Sequence, residues 1–170
     1  MRKFIAVYPT SADPPTLGHA DILRRAALKF DYIYWVVAIN PVKKPFFSLE
    51  DRMAMMNEYI EFYKLDNVIL DHFEGAIVKY SIKKRASFML RGMRNTTDFQ
   101  FEFNLASVNK KINNDVETVS IFADPGLSAI NSGVIRELVT LGEDFDDYVI
   151  PKVAKKIRNI IKKRRLASEN

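Results

Sequence analysis

Five short runs rich in apolar and β-branched residues lie at positions 4–8, 32–39, 68–70, 88–90 and 118–123, with longer amphipathic stretches between them. Runs of that length predict strands. The spacing between them predicts helices over residues 19–30, 49–63, 76–84, 98–111, 131–141 and 152–165. Two helix starts are written in the residues themselves. Ser48-Leu49-Glu50-Asp51 sets an acid three positions after a hydroxyl, and Pro151 suits a first turn that places Val153, Ile157 and Ile160 on one face. Strand and helix in alternation indicate parallel pairing, because parallel neighbours need a crossover connection. The expected fold is therefore α/β: a Rossmann-like, doubly wound sheet of five parallel strands with a C-terminal helix. Ligands of such a sheet lie at the carboxyl ends of the strands, near the point where strand order reverses.

Composition narrows the picture without changing it. With 170 residues, 48% of them hydrophobic and 28% charged, the chain suits one globular domain. Residues 1–150 are read as its α/β body and residues 151–170 as a basic helix and tail packed on the same domain. The apolar run at 4–8 is too short for a signal peptide and no stretch approaches about 18 apolar residues, so a cytoplasmic location is expected. There is no cysteine, and His19 and His72 are the only histidines, which excludes a disulfide framework and a Cys/His zinc site. Any metal is expected to arrive with a substrate. The net charge of +5 is unevenly spread: residues 151–170 hold eight basic side chains against Glu169, leaving 18 basic and 20 acidic in the rest. Neither nucleic acid nor membrane is expected as a partner of so slightly acidic a body. Salt-sensitive binding through the tail is what the alternative would require.

Four loops carry residues with chemical potential, each following a strand. The first, Tyr8-Pro9-Thr10-Ser11-Ala12-Asp13-Pro14-Pro15-Thr16-Leu17-Gly18-His19, has neither a dinucleotide fingerprint nor a P-loop. It is stiffened by three prolines, and it brings Thr16 and His19 to the first turn of a helix, where free N–H groups attract anions. His19 there is either a cap or a phosphate ligand. The second loop, Asn40 to Arg52, fixes Lys43 and Lys44 between prolines; a lysine at a strand end can neutralise a phosphate. The third, Leu90-Arg91-Gly92-Met93-Arg94-Asn95-Thr96-Thr97-Asp98-Phe99-Gln100-Phe101-Glu102, sets two arginines about a glycine. Asp98 reads as a helix cap, and Phe99, Phe101 and Phe103 read equally well as packing or as ligand contacts. The fourth, Leu127-Ser128-Ala129-Ile130-Asn131-Ser132-Gly133-Val134-Ile135-Arg136-Glu137, offers hydroxyl and amide groups that either cap a helix or bind a nucleotide phosphate. His72 reads as a surface or packing residue.

Taken in order, these blocks resemble the T-x-G-H/H-x-G-H nucleotidyltransferase superfamily. Within it, the pattern Y-P-x-S-x-D-P-x-T-x-G-H is similar to the phosphopantetheine adenylyltransferase family, over roughly residues 3–150. Thr16 stands where cytidylyltransferases and nicotinate mononucleotide adenylyltransferases more often carry histidine. The resemblance implies transfer of an adenylyl group from ATP to 4'-phosphopantetheine, giving dephospho-coenzyme A and pyrophosphate. It further implies magnesium bound with ATP and a homo-oligomer, a hexamer in that family. It makes His19 the transition-state stabiliser. ATP contacts fall on Ser11, Ala12, His19, Gly92, Met93, Arg94, Glu102 and, in the fourth block, on Leu127, Ser128, Ala129, Ile130, Asn131, Ser132 and Gly133. Acceptor contacts fall on Ser11, Lys43, Ile77 and Arg91, while Lys44 keeps a surface role. No metal ligand falls on a protein side chain. The chain departs from the family pattern at Thr10, usually glycine, at Ala12, usually phenylalanine, and at Asn131 and Gly133, where the family reads I-S-S-S. A regulatory domain that binds nucleotide without turnover, a cytidylyltransferase and a mononucleotide adenylyltransferase are the competing readings.

Overall fold

In the computed structural model, which describes residues 3–168, five strands alternate with helices. They are β1 (Ile5–Thr10), β2 (Tyr32–Ile39), β3 (Val68–Glu74), β4 (Phe88–Met93) and β5 (Glu117–Phe122). Every pairing is parallel, in the order β3-β2-β1-β4-β5. The chain winds outward from β1 to one edge and returns to start again beside it, so the reversal of strand order falls between β1 and β4. A crevice opens there at the carboxyl ends, because the connections leave in opposite directions.

The helices are α1 (Leu17–Ala27), α2 (Leu49–Tyr63), α3 (Ile77–Lys83), α4 (Thr96–Ile112), α5 (Ser132–Leu141) and α6 (Pro151–Ser168). Strand alternation divides the core. Ala6, Tyr8, Trp35 and Val37 face the larger cluster, completed by Leu23 of α1, Met55, Met56 and Tyr59 of α2, Ile135 and Val139 of α5, and Val153 and Ile157 of α6. Val7 and Val36 point the other way, onto Tyr80 of α3. α6 thus contributes fully buried side chains to the same core as the strands, and Lys152 and Lys156 pair with Glu58 across the seam with α2.

Three of the strands run further at their carboxyl ends than the apolar runs indicate, to Thr10, Glu74 and Met93. β1 even includes Pro9, whose lost donor is tolerated only near a strand end. α1 and α4 begin two residues earlier than expected, because their caps are Thr16 and Asn95.

Candidate active site

The loop from β1 to α1 contains no regular hydrogen-bond ladder, so its carbonyl groups need donors from elsewhere. They receive them from five side chains on three elements. Pro9 O accepts from Arg91 of β4 (3.2 Å), Ser11 O from Arg52 of α2 (3.0 Å) and Asp13 O from Arg136 of α5 (2.5 Å). Pro14 O accepts from the Ser132 hydroxyl (2.8 Å), and Pro15 O from the Tyr59 hydroxyl (3.4 Å). The Asp13 carboxylate in turn accepts from the backbone N–H groups of Phe46 and Phe47, both at 2.8 Å, which ties the second loop to the first. Ala12 sits between these anchors, fully buried at φ 47°, a left-handed conformation that costs a non-glycine residue energy and is held here from both sides.

Beside this loop, at the β1/β4 reversal, lies a cavity of about 610 Å³, within the size range of small-molecule sites. Three helix N-termini face it: α1 with Gly18 and His19, α4 beyond Asn95, and α5 with Asn131, Ser132 and Gly133. Partial positive charge converges from all three, and Arg91, Arg94 and Arg136 add full charges to the same wall. The cavity is built for an extended polyanion.

His19 is held in one tautomer by its own helix. Its Nδ1 accepts from the Thr16 backbone N–H (3.1 Å) and lies 2.9 Å from the Thr16 hydroxyl, completing a capping box in which His19 takes the place usual for glutamate. With Nδ1 an acceptor, the ring proton of the neutral imidazole is on Nε2. Burial, followed by the positive charge of Arg94, pushes its pKa down to about 4, so the ring is uncharged at neutral pH. His19 is therefore both cap and site residue, and it faces the cavity as a neutral N–H donor.

The two arginines of the third block are paired. Arg91 Nε is 2.5 Å from Glu102 of α4, and Arg94 makes a fork to the Asp98 carboxylate at 2.9 and 3.1 Å. Each acid orients a guanidinium and leaves other N–H groups for a ligand. Asp98 is not the cap of α4. That place belongs to Asn95, whose side chain accepts from Asp98 N–H. Gly92 has a packing role: a Cβ there would stand 3.1 Å from Ile22 of α1, so glycine lets the helix close on β4. In the fourth block the two departures from the family pattern compensate each other. Asn131 Oδ1 caps α5 and occupies the space that a Cβ at Gly133 would need, at 2.9 Å.

A second cavity of about 600 Å³ opens on the other side of the loop, lined by Asn40, Lys43, Lys44, Phe46 and Arg52 among others. Ser11 and Arg136 line both cavities and mark their junction. Lys44 is exposed, in keeping with a surface role, and stands on this wall beside Lys43.

Most of the candidates thus meet at one place: Ser11, His19, Arg91, Gly92, Arg94, Glu102 and residues 128–133 line the first cavity. Lys43 lines the second, apart from Arg91. Ala12, Met93, Leu127 and Ile77 line neither. Ala12 is in the core, and Ile77 packs on Tyr80 and Met89 at the start of α3. The Ser132 hydroxyl is committed to Pro14, which leaves its place at the mouth of α5 rather than its side chain to face a ligand. Phe99, Phe101 and Phe103 join neither the core nor the lining of the two cavities, Phe99 and Phe103 touching only as a stacked pair; they are 53%, 64% and 62% exposed. Arg136, Thr10 and Asn95 were missed as candidates. Arg136 stands in the fourth block beside Glu137, but its reach to Asp13, 123 residues away, is not written in that block.

Comparison with known proteins agrees with this geometry. Residues 7–138 match the family described as Cytidylyltransferase-like. The chain is 36% identical over 159 residues to the phosphopantetheine adenylyltransferase of Caldanaerobacter subterraneus subsp. tengcongensis, covering 94% of this chain and 98% of that one. It is 40% identical over 159 residues to the phosphopantetheine adenylyltransferase of Carboxydothermus hydrogenoformans, covering 94% and 97%. Among solved structures, a putative nicotinate-nucleotide adenylyltransferase from Vibrio parahaemolyticus superimposes with a TM-score of 0.71 over 93% of each chain. At 21% identity, that likeness is one of fold.

Proposed function

The chain belongs to the cytidylyltransferase-like family and, within it, to the phosphopantetheine adenylyltransferases, and from that premise we infer which of its residues carry the reaction. The reaction transfers an adenylyl group from ATP to 4'-phosphopantetheine, giving dephospho-coenzyme A and pyrophosphate in the synthesis of coenzyme A. An oxygen of the acceptor phosphate forms a bond to the α-phosphorus as the bond to the pyrophosphate oxygen breaks. The nucleophile is already ionised, so the protein's task is to hold two anions in line and to stabilise charge that builds on the α-phosphoryl oxygens.

The observation that carries the assignment is the His19 tautomer. A neutral Nε2–H, fixed by the Thr16 cap at the mouth of α1, is a preorganised donor for that charge. ATP takes the first cavity, with its phosphates against the N-termini of α1 and α5 and the guanidinium of Arg94. The acceptor phosphate sits at the junction by Ser11, with Arg91 on one side and Lys43 on the other, and the pantetheine arm extends along the second cavity. Among the described residues no group of three or more His, Cys, Asp or Glu could hold a metal ion, and magnesium bound with ATP is inferred from the family alone. When bound, that ion offsets charge on the leaving pyrophosphate.

We place the enzyme in the cytoplasm; no helix among the described residues is long and apolar enough to cross a membrane. A homo-oligomer, a hexamer as in the family, is supported by the uncovered aromatic face of α4. The deciding experiment is pyrophosphate release with a panel of nucleotides and acceptors. ATP with phosphopantetheine should be the productive pair. Turnover of CTP, or of nicotinate mononucleotide in place of phosphopantetheine, would overturn the assignment of substrates.

A further inference from the structure

β1 and β2 place Tyr8 and Trp35 side by side, and strand alternation puts Thr10 on the same face, at the end of β1. Trp35 is fully buried and fixed between two rings, stacked on Tyr8 (centroids 6.4 Å, 15°) and edge-on to Tyr59 (6.3 Å, 71°). Its indole Nε1–H donates to Thr10 Oγ1 at 3.1 Å. An indole N–H can only donate, so this bond fixes which part of the threonine hydroxyl is engaged: one lone pair. The hydroxyl's own proton cannot point back along that line, and among the described residues Oγ1 has no other partner. Thr10 also lines the first cavity, together with Ser11, His19 and Arg91.

We infer that Thr10 is a further donor to a phosphoryl oxygen at the junction of the two cavities, its hydroxyl oriented from behind by Trp35. This rests on the adenylyl-transfer reading above. The position usually carries glycine in the family the chain resembles, so the side chain is an addition made by this chain. Accepting from the indole polarises the O–H bond outward, which strengthens its donation to an anion. Because Trp35 is itself locked, the hydroxyl meets its ligand already oriented and without loss of rotamer freedom. A threonine serving only to satisfy the indole would have no need to face the cavity.

The test compares Thr10→Val, Thr10→Ser and the double variant Thr10→Val/Trp35→Phe. The double variant removes both partners, so no buried donor is orphaned, and thermal melts confirm that it folds. Thr10→Val and the double variant should each lose on the order of 10- to 100-fold in kcat/KM, the loss expected for one hydrogen bond to a charged group. Thr10→Ser, which keeps the hydroxyl, should stay close to wild type. Binding is read apart from turnover by titrating ATP alone and phosphopantetheine alone. Calorimetry serves for all forms, and emission of Trp35, the sole tryptophan, for those that keep it. Loss confined to phosphopantetheine puts the contact on the acceptor phosphate, and loss confined to ATP puts it on the nucleotide. A fall in kcat alone puts it on charge formed in the transition state. A folded double variant with wild-type kcat/KM, or a serine variant as impaired as the valine one, overturns the role of Thr10 and leaves the activity standing. Conversely, Trp35 emission that responds to a substrate in wild type but not in Thr10→Val, in a protein that releases no pyrophosphate, supports the contact and overturns the activity.

Discussion

At the scale of single residues, the two nitrogens of His19 do different work, and a substitution can separate them. The amide oxygen of asparagine falls near the place of Nδ1 and can accept the Thr16 N–H, but nothing replaces Nε2–H. His19→Asn should therefore melt near wild type and lose about 10²- to 10³-fold in kcat with KM little changed, the mark of a donor used in the transition state. His19→Ala should lose the same rate and, in addition, about 1 kcal/mol of stability with the cap. Thermal melts beside steady-state kinetics check both, and an asparagine variant of normal kcat would remove His19 from the chemistry. The lowered pKa has its own consequence. Between the ordinary value of 6.5 and the native value of about 4, the unfolded chain binds a proton that the native chain does not. The stability owed to the neutral ring is thus complete above pH 6.5 and declines as pH falls to about 4. The difference in melting temperature between wild type and His19→Asn should shift in that window and be flat above it. Lys43 and Arg94 face different cavities, which predicts a division of labour: Lys43→Ala raises KM for phosphopantetheine and spares ATP, and Arg94→Ala does the reverse. Equal losses for both substrates in both variants would refute the partition.

At the scale of elements, what could be read from the chain follows from what periodicity measures. The apolar runs report side-chain burial, so they located all five strands and stopped where polar side chains begin, at Tyr8, Leu70 and Leu90. Backbone pairing continues past those points, with Thr10 opposite Val37 and Arg91 opposite Ser120, because hydrogen bonding of the ladder is indifferent to side-chain polarity. Those extra residues are the ones that carry Thr10 and Arg91 into the cavity. The motifs made His19 and the arginines legible as candidates, whereas neither acid that orients an arginine was legible in that role: Glu102 reads as an ATP contact and Asp98 as a cap, and Glu102 meets Arg91 only because α4 folds back along β4. Ile77, carried over by position in the family pattern, is half-buried at the start of α3, packs against the edge of the core and lines neither cavity. α6 was legible as an amphipathic helix, but not what its last turns touch. Arg164 lies over the rings of Phe46 and Phe47, 5.4 and 5.5 Å from their centroids, and those residues belong to the loop that carries Lys43. Arg164→Ala should raise KM for phosphopantetheine about two- to fivefold, the scale of an exposed cation–π contact, and leave the KM of ATP unchanged. Truncation after Leu166 keeps Arg164 and should leave activity intact. Loss of turnover in that truncation would show that the end of the tail belongs to the site.

At the scale of the whole molecule, α4 stands out because its 17 residues include one buried side chain, Asn109, although the helix is rich in phenylalanine. Phe99 and Phe103 stack on each other with centroids 6.0 Å apart, both outside the core, and Val108 and Ile112 of the same helix, with Phe122 at the end of β5, are likewise exposed. Water contact on so many large apolar groups is costly, and contiguous patches of this kind mark association surfaces. The same helix carries Glu102 against Arg91 and Asp98 against Arg94, so whatever covers its outer face also steadies the two arginines of the cavity. The whole-molecule prediction joins these facts. Wild type should sediment as a multiple of its 19.6 kDa chain, and Phe99→Asp/Phe103→Asp should shift it to a smaller species. Assembly and catalysis should then be coupled through α4: the dissociated variant should keep its melting transition, bind ATP more weakly and regain affinity as protein concentration rises, since mass action favours the covered face. Analytical ultracentrifugation and ATP titration over the same concentrations check this. A double variant that remains fully assembled would show that the aromatic face is not the contact, and one that dissociates with unchanged ATP affinity would show that the cavity is complete within a single chain.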